Sequence, residues 1–198
     1  MLRPPGKDCK NNSVSRIVLQ SEQNQLPLWD GPEENQYFPL PYRPSRALAA
    51  HPSRLRILRM VSYVLRYFPE LHESVVRVGV TRGAAGRAVV GEPQIWLNPR
   101  NLSYQTIAHE LIHVLQGREG VPNGERSCDL FSLARHHTLI DARPAYLKLP
   151  SRAFDLRHRP LPSVAPLMYA TACEAVEKRC AGYRRYITWF ENEIAKRV

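Results

Sequence analysis

The sequence predicts an α+β domain, in which a small, mainly antiparallel or mixed sheet of about three strands is backed by an N-terminal helix and followed by further helices. Three observations support this prediction. Runs rich in β-branched residues lie between residues 75 and 98, segments with helical spacing of apolar residues flank them, and 198 residues suffice for one domain with a sizeable core. We therefore divide the chain into an arm, residues 1–45, and a single domain, residues 46–198, whose centre covers about residues 75–150.

The arm is defined by its composition. Seven prolines stand there among Asn, Gln and Ser residues, and such a segment does not build a packed core alone. We expect residues 1–45 to be extended or partly disordered. The first helix is predicted over residues 53–68, because apolar side chains recur on one stripe and Pro69 ends the pattern. This helix would back the sheet.

Three strands follow in the chain. The first covers residues 75–81, the second residues 87–90 and the third residues 94–98, and all three are rich in β-branched or aromatic residues. Glycines and a proline separate them, as is typical of the loops and turns between strands. The sequence therefore predicts a sheet just before the segment that carries the chemical signal.

The strongest chemical signal is His-Glu-Leu-Ile-His at residues 109–113. On a helix, residues four apart lie on one face about 6 Å from each other, so both imidazoles can bind one ion. Glu110 then stands beside the ion without being a ligand, and its carboxylate can take a proton from a metal-activated water. Ser103 is placed to cap this helix and Gly117 to end it. The pattern predicts a zinc (Zn²⁺) site with its own general base, and the alternative is a half-buried helix without metal.

A two-histidine site needs a third protein ligand. The extended motif HExxHxxGxxH is excluded, because Gln116 and Glu119 occupy its glycine and its last histidine positions. Glu125 is the main candidate, because a turn-rich connector lets a second helix fold back on the first, and Glu119 is the competitor. Asp129 lies one turn beyond Glu125, where it can accept the second ring N–H of a ligand histidine. For both acids the alternative is a solvated acidic face.

The last segment, from about residue 165 to residue 197, keeps helical spacing of its apolar side chains. We predict one long C-terminal helix that packs on the domain, which is the more common meaning of such a pattern than a partner-binding surface. The residues that define the pattern are Tyr169, Cys173, Val176, Cys180, Tyr183, Ile187, Phe190 and Ile194.

The motif and the downstream acids resemble the gluzincins, the thermolysin-like zinc peptidases whose third ligand is a glutamate on a later helix. The spacing from His113 to Glu125 is similar to that of the minimal members, the minigluzincins. Residues 95–99 (Ile-Trp-Leu-Asn-Pro) and Phe131 also resemble the ImmA/IrrE group of intracellular metallopeptidases. The resemblance covers roughly residues 75–150 and implies a zinc metallopeptidase that acts on a protein or peptide substrate.

The resemblance also implies roles for individual residues. Zinc would be held by His109, His113 and Glu125, with Glu110 as the general base. An edge strand beside the metal helix would bind an extended substrate, and residues 94–98 are candidates for lining that cleft, with ordinary strand pairing as the alternative. A tyrosine or histidine would donate to the oxyanion. We choose Tyr146 among the candidates Tyr146, His136, His137 and His158.

The composition adds a second possible partner. The net charge is +10, and six arginines lie between Arg43 and Arg66 with no acidic residue among them. Guanidinium groups suit phosphate contacts, but no zinc-finger or helix-turn-helix signature accompanies them. Nucleic acid is therefore an alternative partner, and a basic surface that attracts acidic protein substrates is an equal rival.

Several classes of protein are disfavoured. No apolar run reaches membrane-spanning length and the first residues contain no hydrophobic signal region, so we expect a cytoplasmic protein without a membrane partner. The four cysteines show no CxxC spacing and suggest reduced thiols. Two other functions stay open, a zinc hydrolase or zinc-binding module that is not a peptidase, and a basic protein associated with nucleic acid. The oligomeric state is not predicted.

Overall fold

The computed structural model describes residues 42–117 and 120–198. Within these ranges the chain is α+β, with six α-helices and one mixed sheet of four strands in the order β1-β2-β4-β3. The strands are β1 (Tyr42–Pro44), β2 (Val76–Val80), β3 (Gly86–Ala88) and β4 (Gln94–Leu97). The helices are α1 (Arg46–Ala49), α2 (Arg54–Leu65), α3 (Tyr104–Leu115), α4 (Glu125–Leu133), α5 (Val164–Cys180) and α6 (Tyr186–Arg197).

The three predicted strands are present, and β1 is an additional strand at the end of the predicted arm. β2 pairs in parallel with both β1 and β4, and only β3 is antiparallel to its neighbour β4. The sheet is therefore mixed but not mainly antiparallel, since the helical connection from β1 to β2 is long enough for a parallel crossover. The rest of the predicted arm, residues 1–41, lies outside the described residues.

The prediction of a single long C-terminal helix is wrong, because two helices, α5 and α6, occupy that segment. Gly182 has a φ of 92° and its N–H donates to the Arg179 carbonyl at 2.8 Å, while the Tyr183 N–H donates to the Lys178 carbonyl at 2.9 Å. This pair of bonds is a Schellman motif, which ends a helix. The apolar spacing continues past the break because α6 packs on α5 and buries Phe190 in the same core.

Helix α3 occupies the centre of the fold. It packs on β3, β4, α2 and α4, and its apolar residues are buried on nearly every side. Helix α2, which was expected to back the sheet, packs mainly against α3, because α3 itself lies on the sheet. In the described part of the chain, no helix has the length and apolar character needed to cross a membrane.

Candidate metal centre

Helix α3 carries the two histidines of the site. Ser103 caps its first turn as predicted, with Oγ accepting a backbone N–H at 2.9 Å. The Asp141 carboxylate accepts two further N–H groups of that turn, each at 3.0 Å, although Asp141 lies far downstream in the chain. The helix then holds the rings of His109 and His113 with centroids 5.0 Å apart and planes at 75°. The start of the helix and the spacing of its histidines thus bring both rings to one place.

Asp129 on α4 orients the first histidine. Its Oδ1 lies 2.8 Å from His109 Nδ1, and its Oδ2 accepts the backbone N–H of Tyr146 at 2.6 Å. Burial lowers the pKa of His109, but the hydrogen bond that His109 donates to Asp129 and the nearby carboxylates outweigh it, so the pKa is raised overall. Because Nδ1 faces a carboxylate, we assign the ring hydrogen to Nδ1, which leaves the Nε2 lone pair pointing away from Asp129.

Gln116 orients the second histidine, a role that sequence reasoning missed. Its side-chain oxygen lies 2.8 Å from His113 Nδ1, and its amide nitrogen donates to the carbonyls of Pro122 at 2.8 Å and Gly124 at 3.3 Å. A carbonyl oxygen can only accept a hydrogen bond, so the NH₂ group of Gln116 must face these two carbonyls. The side-chain oxygen of Gln116 must then face the His113 ring. His113 therefore also carries its hydrogen on Nδ1. The spacing of three residues from His113 was the only signal for this contact in the sequence.

The two histidines converge on Glu125, the first residue of α4. Its Oε2 lies 3.0 Å from His109 Nε2 and 3.2 Å from His113 Nε2. With both hydrogens on Nδ1, three lone-pair atoms meet at one point, and such an arrangement requires a shared proton or cation. The residues present therefore fit a metal ion between them. The Glu125 side chain is 47% exposed, so this point is open to solvent.

Cys128 belongs to a second possible set of donors. His109, His113 and Cys128 each have a ligand atom within 4.8 Å of the others, and this group can hold a metal ion. However, the sulfur lies 3.3 Å from His113 Nδ1, the nitrogen on the side of the ring away from Glu125. Burial, reinforced by nearby carboxylates, raises the pKa of the Cys128 thiol in the absence of a metal. Glu125 Oε2 thus faces both Nε2 atoms, whereas the Cys128 sulfur faces Nδ1 of His113.

Glu110 lies between α3 and the edge strand β3. It is 6% exposed and its side chain packs against Gly86, where a Cβ would lie 2.6 Å from Glu110 Cγ and 2.8 Å from Cδ. Only glycine leaves room for the carboxylate in this position. Burial raises the pKa of Glu110 to about 7; the charge of His109 opposes this rise and Glu125 adds to it. The result is a proton acceptor suited to neutral pH.

Tyr146 lies at the mouth of the site. Its ring stacks on His109, with ring centroids 5.8 Å apart and an angle of 22° between the planes. Tyr146 is 49% exposed, so the site is open to solvent beside this residue. The charge of Glu125, followed by burial, raises the pKa of Tyr146 above its ordinary value. Its hydroxyl therefore keeps its proton at neutral pH and remains a donor.

The competing candidates are placed elsewhere or not described. His136 and His137 belong to an aromatic group around Tyr67, and among the described residues neither contacts the metal centre. The backbone carbonyl of His158 accepts from a loop residue, and no contact joins His158 to the site within the described ranges. Glu119, the competing third ligand, lies outside the described residues.

The edge strand beside α3 is β3, since β4 is paired on both sides by β2 and β3. Residues 94–97 form β4, which pairs with a strand on each side, so the alternative of ordinary strand pairing applies to this segment and β4 is not an edge strand. Within the described ranges β3 pairs only with β4, and Gly86 of this strand contacts the Glu110 side chain.

Comparisons with known proteins add no assignment to this geometry. Neither models of protein families, nor curated proteins, nor solved structures gave a match.

Proposed function

We propose that this chain is a zinc-dependent metallopeptidase of the gluzincin type. The observation that carries the proposal is the convergence of His109 Nε2, His113 Nε2 and Glu125 Oε2 on one point, within electrostatic range of the buried Glu110 carboxylate. A metal-ligand set next to an acid of raised pKa is the combination that metal-assisted hydrolysis requires.

Zinc is the metal that this donor set favours. It binds imidazole nitrogen and carboxylate oxygen, and three protein ligands leave the open position that is typical of catalytic sites. When bound, zinc would polarise a water molecule and the carbonyl of the bond to be cleaved. Asp129 and Gln116 support the proposal because they hold the two rings with Nε2 directed at the site.

Glu110 serves as the general base in this proposal. Its pKa of about 7 in the metal-free site suits proton exchange near neutral pH. The water oxygen forms a bond to the carbonyl carbon while Glu110 takes the water proton. Glu110 then gives this proton to the amide nitrogen as the C–N bond breaks, so the side chain ends in its starting state.

Tyr146 is the proposed donor to the oxyanion that forms on the carbonyl oxygen. Its hydroxyl is protonated at neutral pH, and its ring is held at the site by stacking on His109 and by the hydrogen bond from its backbone to Asp129. A donor preorganised in this way stabilises developing negative charge.

The proposed substrate is a peptide in extended conformation. Within the described ranges β3 has no strand on its other side, so its backbone N–H and C=O groups there are offered for pairing with such a peptide. Because Gly86 on this strand contacts Glu110, a peptide paired there would pass close to the base and the metal ligands. Specificity for particular side chains would depend on groups beyond this backbone pairing.

The experiment that tests the proposal combines metal analysis of the purified chain with digestion of a peptide library. We expect one zinc per chain and cleavage that stops after chelation and returns after zinc is added. Zinc without turnover would favour a zinc-binding module, and zinc with turnover of esters alone would favour another hydrolase. A chain that binds no metal would contradict all three.

A further inference from the structure

The outer face of α2 and the turn that directly follows it carry arginines interleaved with aromatic rings. We define the arginine–tyrosine face as Arg56, Arg59, Tyr63, Arg66 and Tyr67. Arg59 lies four residues before Tyr63 and Arg66 three residues after it, so all three share one side of the helix. The Arg66 guanidinium lies 5.9 Å from the centroid of the Tyr63 ring. The arginines are exposed, and the two tyrosines are half-buried.

A stack of rings continues from this face. Tyr67 stacks on His136 with centroids 4.6 Å apart and an angle of 22°, and His136 lies 4.3 Å from His137, centroid to centroid. His137 in turn lies 6.2 Å from the Tyr169 ring and is exposed. Burial, with a contribution from His137, lowers the pKa of His136 to about 4, so that ring is uncharged at neutral pH. The series of rings therefore includes one exposed ring, that of His137.

The cations of this face are available for a ligand. Within the described ranges, none of Arg56, Arg59 and Arg66 forms an ion pair, in contrast to Arg126 and Arg135, which do. No acidic residue lies anywhere between residues 43 and 66. Over the helical rise of about 1.5 Å per residue, the three guanidinium groups extend along about 15 Å of the helix.

We propose that the arginine–tyrosine face, together with His137, binds single-stranded nucleic acid. Guanidinium groups would contact phosphates, and a base would stack on the exposed His137 ring, which is how single strands are bound without sequence preference. An acidic peptide would use the arginines but not the rings. A duplex keeps its bases stacked on one another, so it too would leave the rings unused.

The first test compares two charge-matched double variants, Arg59→Gln/Arg66→Gln and Arg184→Gln/Arg185→Gln. Both remove two positive charges. Arg184 and Arg185 lie just after the C-terminal end of α5, and that end is about 16 Å along the helix from Tyr169. The probes are fluorescein-labelled oligo(dT) and oligo(U) of about 12 nucleotides, within the range of single-strand sites. We expect binding by the full chain at low salt. The slope of log K against log salt should shrink by about 1.4 in the first variant only, at about 0.7 per phosphate contact.

The second test concerns stacking. His137→Ala should weaken binding by roughly 5- to 150-fold, which corresponds to about 1–3 kcal/mol for one stacked base. His137→Phe should restore the affinity, because it keeps a flat aromatic side chain, and circular dichroism checks that both variants fold.

Four results would overturn the proposal: no binding at low salt, equal losses in the two double variants, equal binding of duplex DNA, or competition by polyglutamate as strong as that by the unlabelled oligonucleotide.

The proposal is independent of the metal centre. Oligonucleotide binding should survive removal of zinc by a chelator, and Arg59→Gln/Arg66→Gln should keep any peptide hydrolysis, so the two proposals can fail separately.

Discussion

Two buried carboxylates flank the histidine pair, and their surroundings differ. Asp129, on the α4 side, is 2% exposed and accepts hydrogen bonds from the His109 ring and from the Tyr146 backbone. Glu110, on the β3 side, is 6% exposed and meets no hydrogen-bond donor among the described residues, and burial raises its pKa to about 7. The difference separates their tasks. Asp129 uses its lone pairs to hold its neighbours, whereas in the proposed mechanism Glu110 uses its own to exchange a proton.

The largest effect on peptide hydrolysis should come from replacing Glu110. Glu110→Gln should lower the rate of peptide hydrolysis by about 100- to 10,000-fold, because the amide has a similar size but cannot accept the proton. Zinc content should not change, since Glu110 is not in the converging set. The exposed Glu73→Gln is the matched control. Unchanged turnover in Glu110→Gln would contradict the proposed role of Glu110.

The same acid should make the stability of the metal-free protein depend on pH. Folded Glu110 holds its proton up to about pH 7, whereas the unfolded side chain releases it near 4.5, so the folded state binds more protons between these values. The free energy of unfolding should therefore fall as the pH rises through this window, by at most about 3 kcal/mol. Urea unfolding of chelator-treated protein measures this. The raised pKa of His109 acts in the same direction at higher pH, and the charge of Glu110 contributes to that rise, so Glu110→Gln should remove the Glu110 part and also reduce the His109 part. An identical profile in that variant would show that Glu110 does not titrate as described.

Replacement of Asp129, the acid that accepts two hydrogen bonds, should affect the metal site itself. Asp129→Ala removes the partner of the His109 ring and of the Tyr146 N–H, so zinc affinity or activity should fall by about 10- to 100-fold while the site survives. Isothermal titration against a competing chelator measures the affinity. If Asp129→Ala kept its zinc affinity but lost turnover as Glu110→Gln does, the division between the two acids would be wrong.

The smallest effect is expected on the His113 side. Gln116→Ala should lower zinc affinity by about tenfold, the lower end of the range for residues that orient a ligand, because its amide is neutral where Asp129 is charged. Gln116→Glu restores an acceptor for Nδ1 but loses the donors to Pro122 and Gly124, so it separates the two parts of the role. Equal affinities of Gln116→Ala and the parent chain would show that the contact does not orient His113.

The spacing of residues along the chain predicted which residues share the site, but it did not predict the contacts that neighbouring elements make with them. Helical periodicity was enough to place His109 and His113 together and to set Asp129 one turn from Glu125. Gly86 and Cys128 were missed because their contacts arise only when β3 and α4 pack on α3. In the fold, the apolar spacing across residues 165–197 concealed the turn at Gly182, since both helices face the same core.

The identity of the third ligand is the central claim, and zinc affinity of Glu125→Ala, Cys128→Ala and Glu119→Ala measured against one chelator tests it most directly. Loss of the Glu125 carboxylate should lower the affinity by more than about 100-fold, beyond the effect of an orienting residue. Cys128→Ala and Glu119→Ala should stay close to the parent chain. A costly Cys128→Ala together with a neutral Glu125→Ala would contradict the account, because the metal would then be held by His109, His113 and Cys128.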